Sequence, residues 1–403
     1  MLLPFFTDHA FDFSARTALG HTGLGVGDVG MAVGAIDETT DGDAMSWYTA
    51  WHGRAERLRR DADAARAAGR LGTAAFLYLG ASGFHDESLA FVDGMEDTSL
   101  LLPTFRAHRA AWDAFVACSD GRHLPIDLAY EGVAMPGYLF RPDASGTPRP
   151  TLVVTNGSDG ALSGLWATAI RPALDRDWNA VVFDGPGQQT LLFERGIPFR
   201  HDWEAVLTPV VDTLVARPDV DEHALFGYAI SQGGYWLPRA LAFEHRFAAA
   251  VVDGGVVDVA RSWNVNIPPP LLALLRAGDR DRFNEAISSG PADPVRARTF
   301  AFRARPYGGE TPYDVFSAVQ RFTLDGLTDR ITTPLLITDP DDEDFFGGQS
   351  RELYDALPGE KEIVRFTAEQ GANRHCEAMA RGLVGVVMTD FLGAHLPAGA
   401  SLT

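Results

Sequence analysis

The sequence predicts an α/β protein: a mostly parallel sheet flanked by helices, with an N-terminal helical segment and an inserted helical cap. Three observations predict it. Short apolar runs, each followed by a Gly-containing turn, alternate with helical stretches through the second half of the chain. Before residue 122 apolar side chains recur instead at helical spacing. Between residues 261 and 333 the alternation stops and only helix-like stretches remain.

In chain order, the first segment runs over 1–122. Trp47, Trp51, Ala55 and Leu58 mark one helical face, and an Ala-rich stretch over 62–79 continues the period. The pair Trp47 and Trp51, four apart, is read as helix core. Polar breaks at Asp93-Gly94 and Ser119-Asp120-Gly121 punctuate this region, and the last sets a boundary near residue 122. The first part of the sheet-bearing core, 123–260, begins with an antiparallel pair at 126–130 and 138–141. Strands follow at 151–155, 179–183, 224–228 and 248–253, with a helix over 203–216. The insertion, 261–333, opens with Pro268-Pro269-Pro270 and holds helices near 271–276 and 312–322. The core resumes over 334–403 with strands at 334–338 and 362–366.

Composition narrows the function classes. The 403-residue chain is 46% hydrophobic and 22% charged, enough to bury a large core. Its formal net charge is -20 and Lys361 is the only lysine, a field that repels nucleic acid and anionic membrane. No segment approaches the roughly 20 apolar residues of a membrane span, and the N-terminus lacks a basic flank, so a soluble, cytoplasmic protein is expected. Two cysteines, Cys118 and Cys376, are too few for a disulfide framework or a cysteine-built metal site. Gly25-Val-Gly27-Asp-Val-Gly30 matches a dinucleotide fingerprint, but no strand precedes it and no acid follows about twenty positions on in a second strand. No cofactor and no metal are expected; the partner is a small-molecule substrate.

The strongest local pattern is Gly227-Tyr-Ala-Ile-Ser231-Gln-Gly233-Gly234, directly after an apolar strand and before a helical stretch. A serine on such a sharp strand-turn-helix is exposed, and small residues two before and two after it avoid collision. Ala229 and Gly233 fill those places, Ala229 standing where a glycine is usual. This is the nucleophile elbow of the α/β-hydrolase fold. A serine hydroxyl needs a base, and the base an orienting carboxylate, in the chain order Ser, acid, His. His375 follows the strand at 362–366 across a polar loop and is the expected base; His395 lies after the final helix. The acid belongs to the loop Asp339-Pro-Asp341-Asp342-Glu343-Asp344. Asp342 is chosen because it stands three residues before Phe345, with Glu343 and Asp341 as runners-up, and the remaining acids are read as a solvated face. A calcium loop fails here, since its sixth position is Asp344 and no glutamate closes it at the twelfth. Oxyanion donors are expected from the backbone N–H of Gln232 and of Ser158, the latter in the turn after the strand at 151–155. Asp184-Gly185-Pro186-Gly187 is read as turn chemistry.

The ordered set Asn156-Gly-Ser-Asp-Gly, Asp184-Gly-Pro-Gly-Gln, Ser231-Gln-Gly-Gly-Tyr-Trp, Phe345-Phe-Gly-Gly-Gln and Glu369-Gln-Gly-Ala-Asn-Arg-His-Cys resembles a particular group of α/β-hydrolases. It is that of 2,6-dihydroxypseudooxynicotine hydrolase and the fungal polyketide chain-shortening hydrolases, and the likeness spans most of the chain. The resemblance implies hydrolysis of a carbon–carbon bond beside a ketone, with esterase or thioesterase chemistry as the alternative. It also implies an active site covered jointly by the N-terminal helices and the inserted cap, and a homodimer.

Overall fold

A computed structural model describes residues 4–265, 267–289 and 294–397. Five helices come first: α1 (His9–Thr22), α2 (Val29–Asp37), α3 (Ala44–Ala67), α4 (Leu71–Leu89) and α5 (Leu101–Ala117). Asp8 and Asp43 start α1 and α3 by accepting the first free amides, Ala10 and Phe11 in one case, Met45 and Ser46 in the other. Trp47 and Trp51 are fully buried and stacked, with ring centroids 5.2 Å apart, so they form core as their spacing predicts. The Gly25 to Gly30 stretch lies in the turn from α1 into α2, with no strand before it.

Eight strands follow: β1 (His123–Tyr130), β2 (Val133–Phe140), β3 (Arg149–Thr155), β4 (Asn179–Phe183), β5 (Val220–Ile230), β6 (Phe247–Asp253), β7 (Leu335–Pro340) and β8 (Lys361–Phe366). They form one sheet in the order β1-β2-β4-β3-β5-β6-β7-β8, antiparallel at β1/β2 and β2/β4 and parallel elsewhere. Such a sheet is covered on both faces, and β5 shows how. Leu225 and Ala229 pack into the layer that holds the helix Glu204–Val215, whereas Phe226 and Tyr228 pack into the layer that holds Trp112 and Phe391. Alternation along one strand thereby glues helices to both sides.

Between β6 and β7 the chain forms helices at Ala260–Asn264, Pro269–Ala277, Arg280–Ser288, Pro294–Ala304 and Pro312–Val319 and, among the described residues, no strand. Prolines stand at the first helical positions of several of these, where a missing N–H costs nothing. Among the described residues no helix is long and apolar enough to cross a membrane.

Candidate active site

The carboxyl ends of the central parallel strands converge on Ser231. β5 runs to Ile230, and the helix Gly233–Leu241 starts two residues past the serine, which is held at φ +57°. Its amide donates to the Asp253 carbonyl at the end of β6 (2.8 Å). The turn tolerates nothing bulky: a Cβ at Gly233 would come within 2.8 Å of the Thr155 carbonyl and 3.3 Å of the Ala229 Cβ, and one at Gly234 would collide with the Gly254 carbonyl. Ala229 is therefore small enough where a glycine is usual.

Ser231 Oγ lies 2.9 Å from His375 Nε2. On the other side of the ring, His375 Nδ1 lies 2.7 and 2.9 Å from the two oxygens of Glu343. Asp342, the acid chosen from the sequence, is directed elsewhere: its amide donates to the Asn373 carbonyl (2.7 Å) and its carboxylate accepts from Asn373 Nδ2 (2.6 Å). The correction has a local cause. Glu343 also accepts the amides of Phe345 and Phe346 (2.8 and 3.1 Å), a turn that swings its longer side chain under the imidazole. The other acids hold the loop rather than face solvent alone: Asp341 pairs with Arg365, and Asp344 pairs with Arg374 at 2.9 Å and accepts the His375 amide at 3.3 Å. Burial opposes ionisation of Glu343, but His375 and the two amides outweigh it and hold the carboxyl below its usual value.

An imidazole bonded in this way by a carboxylate presents its other nitrogen to take a hydroxyl proton. The backbone over 156–158 runs beside the hydroxyl: a Cβ at Gly157 would sit 3.0 Å from Ser231 Cβ and 3.5 Å from its Oγ. The Gly157 amide is used by Asn156 Oδ1 (2.8 Å). Among the described residues, the amides of Ser158 and Gln232 have no acceptor.

The chain aligns with hydrolases over most of its length. It is 30% identical over 374 residues to the hydrolase LUC6 of Fusarium sp, covering 88% of both chains. It is 27% identical over 376 residues to the α/β hydrolase xenA of Xenoacremonium sinensis (88% of this chain, 85% of that one). The chain belongs to the α/β-hydrolase family. This α/β hydrolase is also 27% identical over 357 residues to the 20-hydroxy-prefusarin hydrolase FUS2 of Gibberella moniliformis, covering 85% and 84%. Among solved structures, 2,6-dihydroxy-pseudo-oxynicotine hydrolase superposes with a TM-score of 0.69 at 18% identity, over 94% of this chain and 96% of that one, a likeness of fold. No family model matches.

Aromatic rings close around the histidine of this hydrolase. Phe345, Phe346 and, from α1, Phe13 have centroids 4.7, 5.9 and 6.1 Å from the His375 ring. From the segment between β6 and β7, the hydroxyl of buried Tyr307 donates to Gln232 Oε1 (2.9 Å), and Trp263 packs on Tyr307. A narrow cleft beside Ser158 is lined by Asp93, Phe193, Phe302 and Arg305. Two turns beyond Phe13, His21 faces Glu87 at 3.9 Å; burial holds its pKa near 4. Neighbouring Asp86 is raised to about 7 by lost solvation despite a bond from Ser163 (3.4 Å).

Beneath the elbow lies a buried network that sequence reasoning missed. Asp253 accepts from Arg381 (2.7 Å) and Tyr228 (2.6 Å), and Arg381 also donates to Tyr228 Oη (2.8 Å) and to the Cys376 carbonyl. Burial, with the charge of Asp253, pushes the carboxyl of fully buried Glu377 well above its usual value. The network pins the turn after His375, where Cys376 and Glu377 both have positive φ. A usable signal was present: an acid ending β6, a tyrosine in β5 and an arginine opening the last helix are costly to bury unless they pair.

Proposed function

We propose that this hydrolase cleaves a carbon–carbon bond beside a ketone in an aromatic or polyketide-like small molecule, through an acyl-enzyme on Ser231. The observation that carries it is the unbroken chain of hydrogen bonds from Ser231 through His375 to Glu343, lying under a roof of aromatic side chains. Ser231 Oγ attacks the ketone carbon as His375 Nε2 takes its proton, and the imidazolium is stabilised by Glu343. The amides of Gln232 and Ser158 hold the oxyanion. As the tetrahedral centre collapses the carbon–carbon bond breaks, and the departing carbon takes the proton from His375. Water, activated by the same imidazole, then releases the acyl group as a carboxylic acid and restores Ser231.

A carbanion is a poorer leaving group than an alkoxide, so the leaving fragment must delocalise its charge away from bulk water. Phe13, Phe345, Tyr307 and Trp263 come from three separate parts of the chain to supply that enclosure. The names of FUS2 and of 2,6-dihydroxy-pseudo-oxynicotine hydrolase accord with substrates of this kind. The test compares kcat/KM for an aryl 1,3-diketone and an ester of equal shape, with product analysis. Diketone cleavage to an acid and a ketone is expected. An enzyme that leaves the diketone intact while turning over the ester at least about a hundredfold faster is an esterase using the same triad.

A further inference from the structure

The helices that precede the sheet hold a cluster of cation-binding side chains that takes no part in the reaction above. His52 and Glu56 are one turn apart on α3 and therefore share a face, and His85 meets them from α4. One ligand atom from each of the three lies within 4.8 Å of the others, and His85 Nε2 is 3.6 Å from Glu56 Oε1. His85 is completely buried, and among the described residues neither of its ring nitrogens has a hydrogen-bond partner. Two unmade bonds on one buried ring are rare in native interiors and point to a partner that is not protein.

We propose that His52, Glu56 and His85 bind a first-row divalent cation, zinc in the first instance, which clamps α3 to α4. Two imidazoles and a carboxylate are a donor set zinc accepts, with water completing the tetrahedron. Bonds of about 2.0–2.2 Å in that geometry bring ligand atoms to roughly 3.3–3.5 Å from one another. The needed contraction falls on His52 and Glu56, which are half-buried and have rotamers to spare, while His85 stays as packing fixes it.

The surroundings prepare the ligands. Arg59 Nη2 occupies Oε2 (3.2 Å) and leaves Oε1 turned toward His85, an outer tether of the sort that orients metal carboxylates. Tyr48 stacks on the His52 ring at 4.9 Å and fixes its plane. Because the ligands come from two helices brought together only by folding, bound cation stabilises the folded helical segment. This inference is independent of the reaction assigned to Ser231.

The experiment uses the full chain stripped with a chelator and then titrated with zinc chloride at micromolar concentration. Stoichiometry is read by calorimetry and metal analysis, stability by thermal unfolding, and coordination by the visible spectrum of the cobalt-loaded protein. The expected result is one ion per chain, a rise of several degrees in Tm and a tetrahedral cobalt spectrum. His52→Ala and Glu56→Gln, at half-buried positions that do not threaten folding, should each weaken binding tenfold or more and remove both the Tm rise and the spectrum. Binding of less than about 0.2 ion per chain overturns the proposal. So does binding that survives both substitutions, which would put the ion on other histidines.

Discussion

Replacing Glu343 by Gln tests the carboxylate and little else, since the two side chains are almost equal in shape. The carboxylate makes two contacts with His375 Nδ1, at 2.7 and 2.9 Å, with a side chain only 11% exposed. An amide in that place carries no charge to stabilise an imidazolium, and its NH2 end favours the tautomer with the proton on Nε2, facing Ser231. A neutral isostere at the acid of a Ser-His-Asp triad lowers kcat about 10⁴-fold. That corresponds to about 5.5 kcal/mol of transition-state stabilisation. Asp342→Asn weakens only the bond between exposed Asp342 and Asn373, and should cost less than tenfold. The assay is kcat on a chromogenic aryl ester, beside labelling of Ser231 by a fluorophosphonate, with circular dichroism to show that both variants fold. Equal losses in the two variants, or a Glu343→Gln enzyme within tenfold of the parent, would refute the assignment.

Other expectations follow from the same geometry. Ser231→Gly and Ser231→Ala should both be inactive, yet the glycine variant should be the more stable by about 1 kcal/mol, because φ at this position is +57° and only glycine adopts it without strain; chemical denaturation of the pair decides it. Arg381→Met leaves Asp253 buried without its cation and should cost about 3–5 kcal/mol in unfolding free energy, a loss under 1 kcal/mol showing the network to be idle. Asp86 is raised to about 7 in the fold against 3.8 unfolded, so the native state holds its proton longer and this group's contribution to stability falls as pH rises from about 4 to 7. The Tm advantage of Asp86→Asn over the parent should accordingly grow between pH 5 and pH 8; a constant difference would contradict it.

The sheet was legible because its central strands are buried on both faces and so read as apolar runs broken by glycine turns. All eight strands overlap the expected runs, but β1, β2 and β5 begin three to five residues earlier, β5 because its first residues, around Glu222 and His223, are exposed and polar at the sheet margin. Ser231 and His375 were legible from turn chemistry and chain order, and the structure brings them within hydrogen-bond distance. The acid was not. Five acids fall within six residues, and which one faces the imidazole depends on a turn whose rotation per residue is large, so a shift of one position exchanges Asp342 for Glu343. The hint available was Glu343 two residues before Phe345-Phe346, where a side chain can accept both following amides. The Asp253–Arg381 network and the meeting of His85 with His52 and Glu56 were harder to read for another reason. Their members are spread over elements whose contacts exist only after folding, and local spacing records no more than the His52 and Glu56 pair on α3.

The placement of α1 over the turn after His375 has a consequence for how the enzyme matures. Arg16 reaches Met379 across 363 residues of chain, a Cβ at Gly20 would strike the Ala378 carbonyl, and Phe13 packs against His375 and Phe345. The contacts of α1 with this turn therefore join segments 363 residues apart and form late in folding. Phe11 packs on Trp47 and Phe91 of the same helical segment, but Phe13 lacks its partners until Phe345 and His375 are in place. The base is therefore enclosed only when a loop of 363 residues has closed.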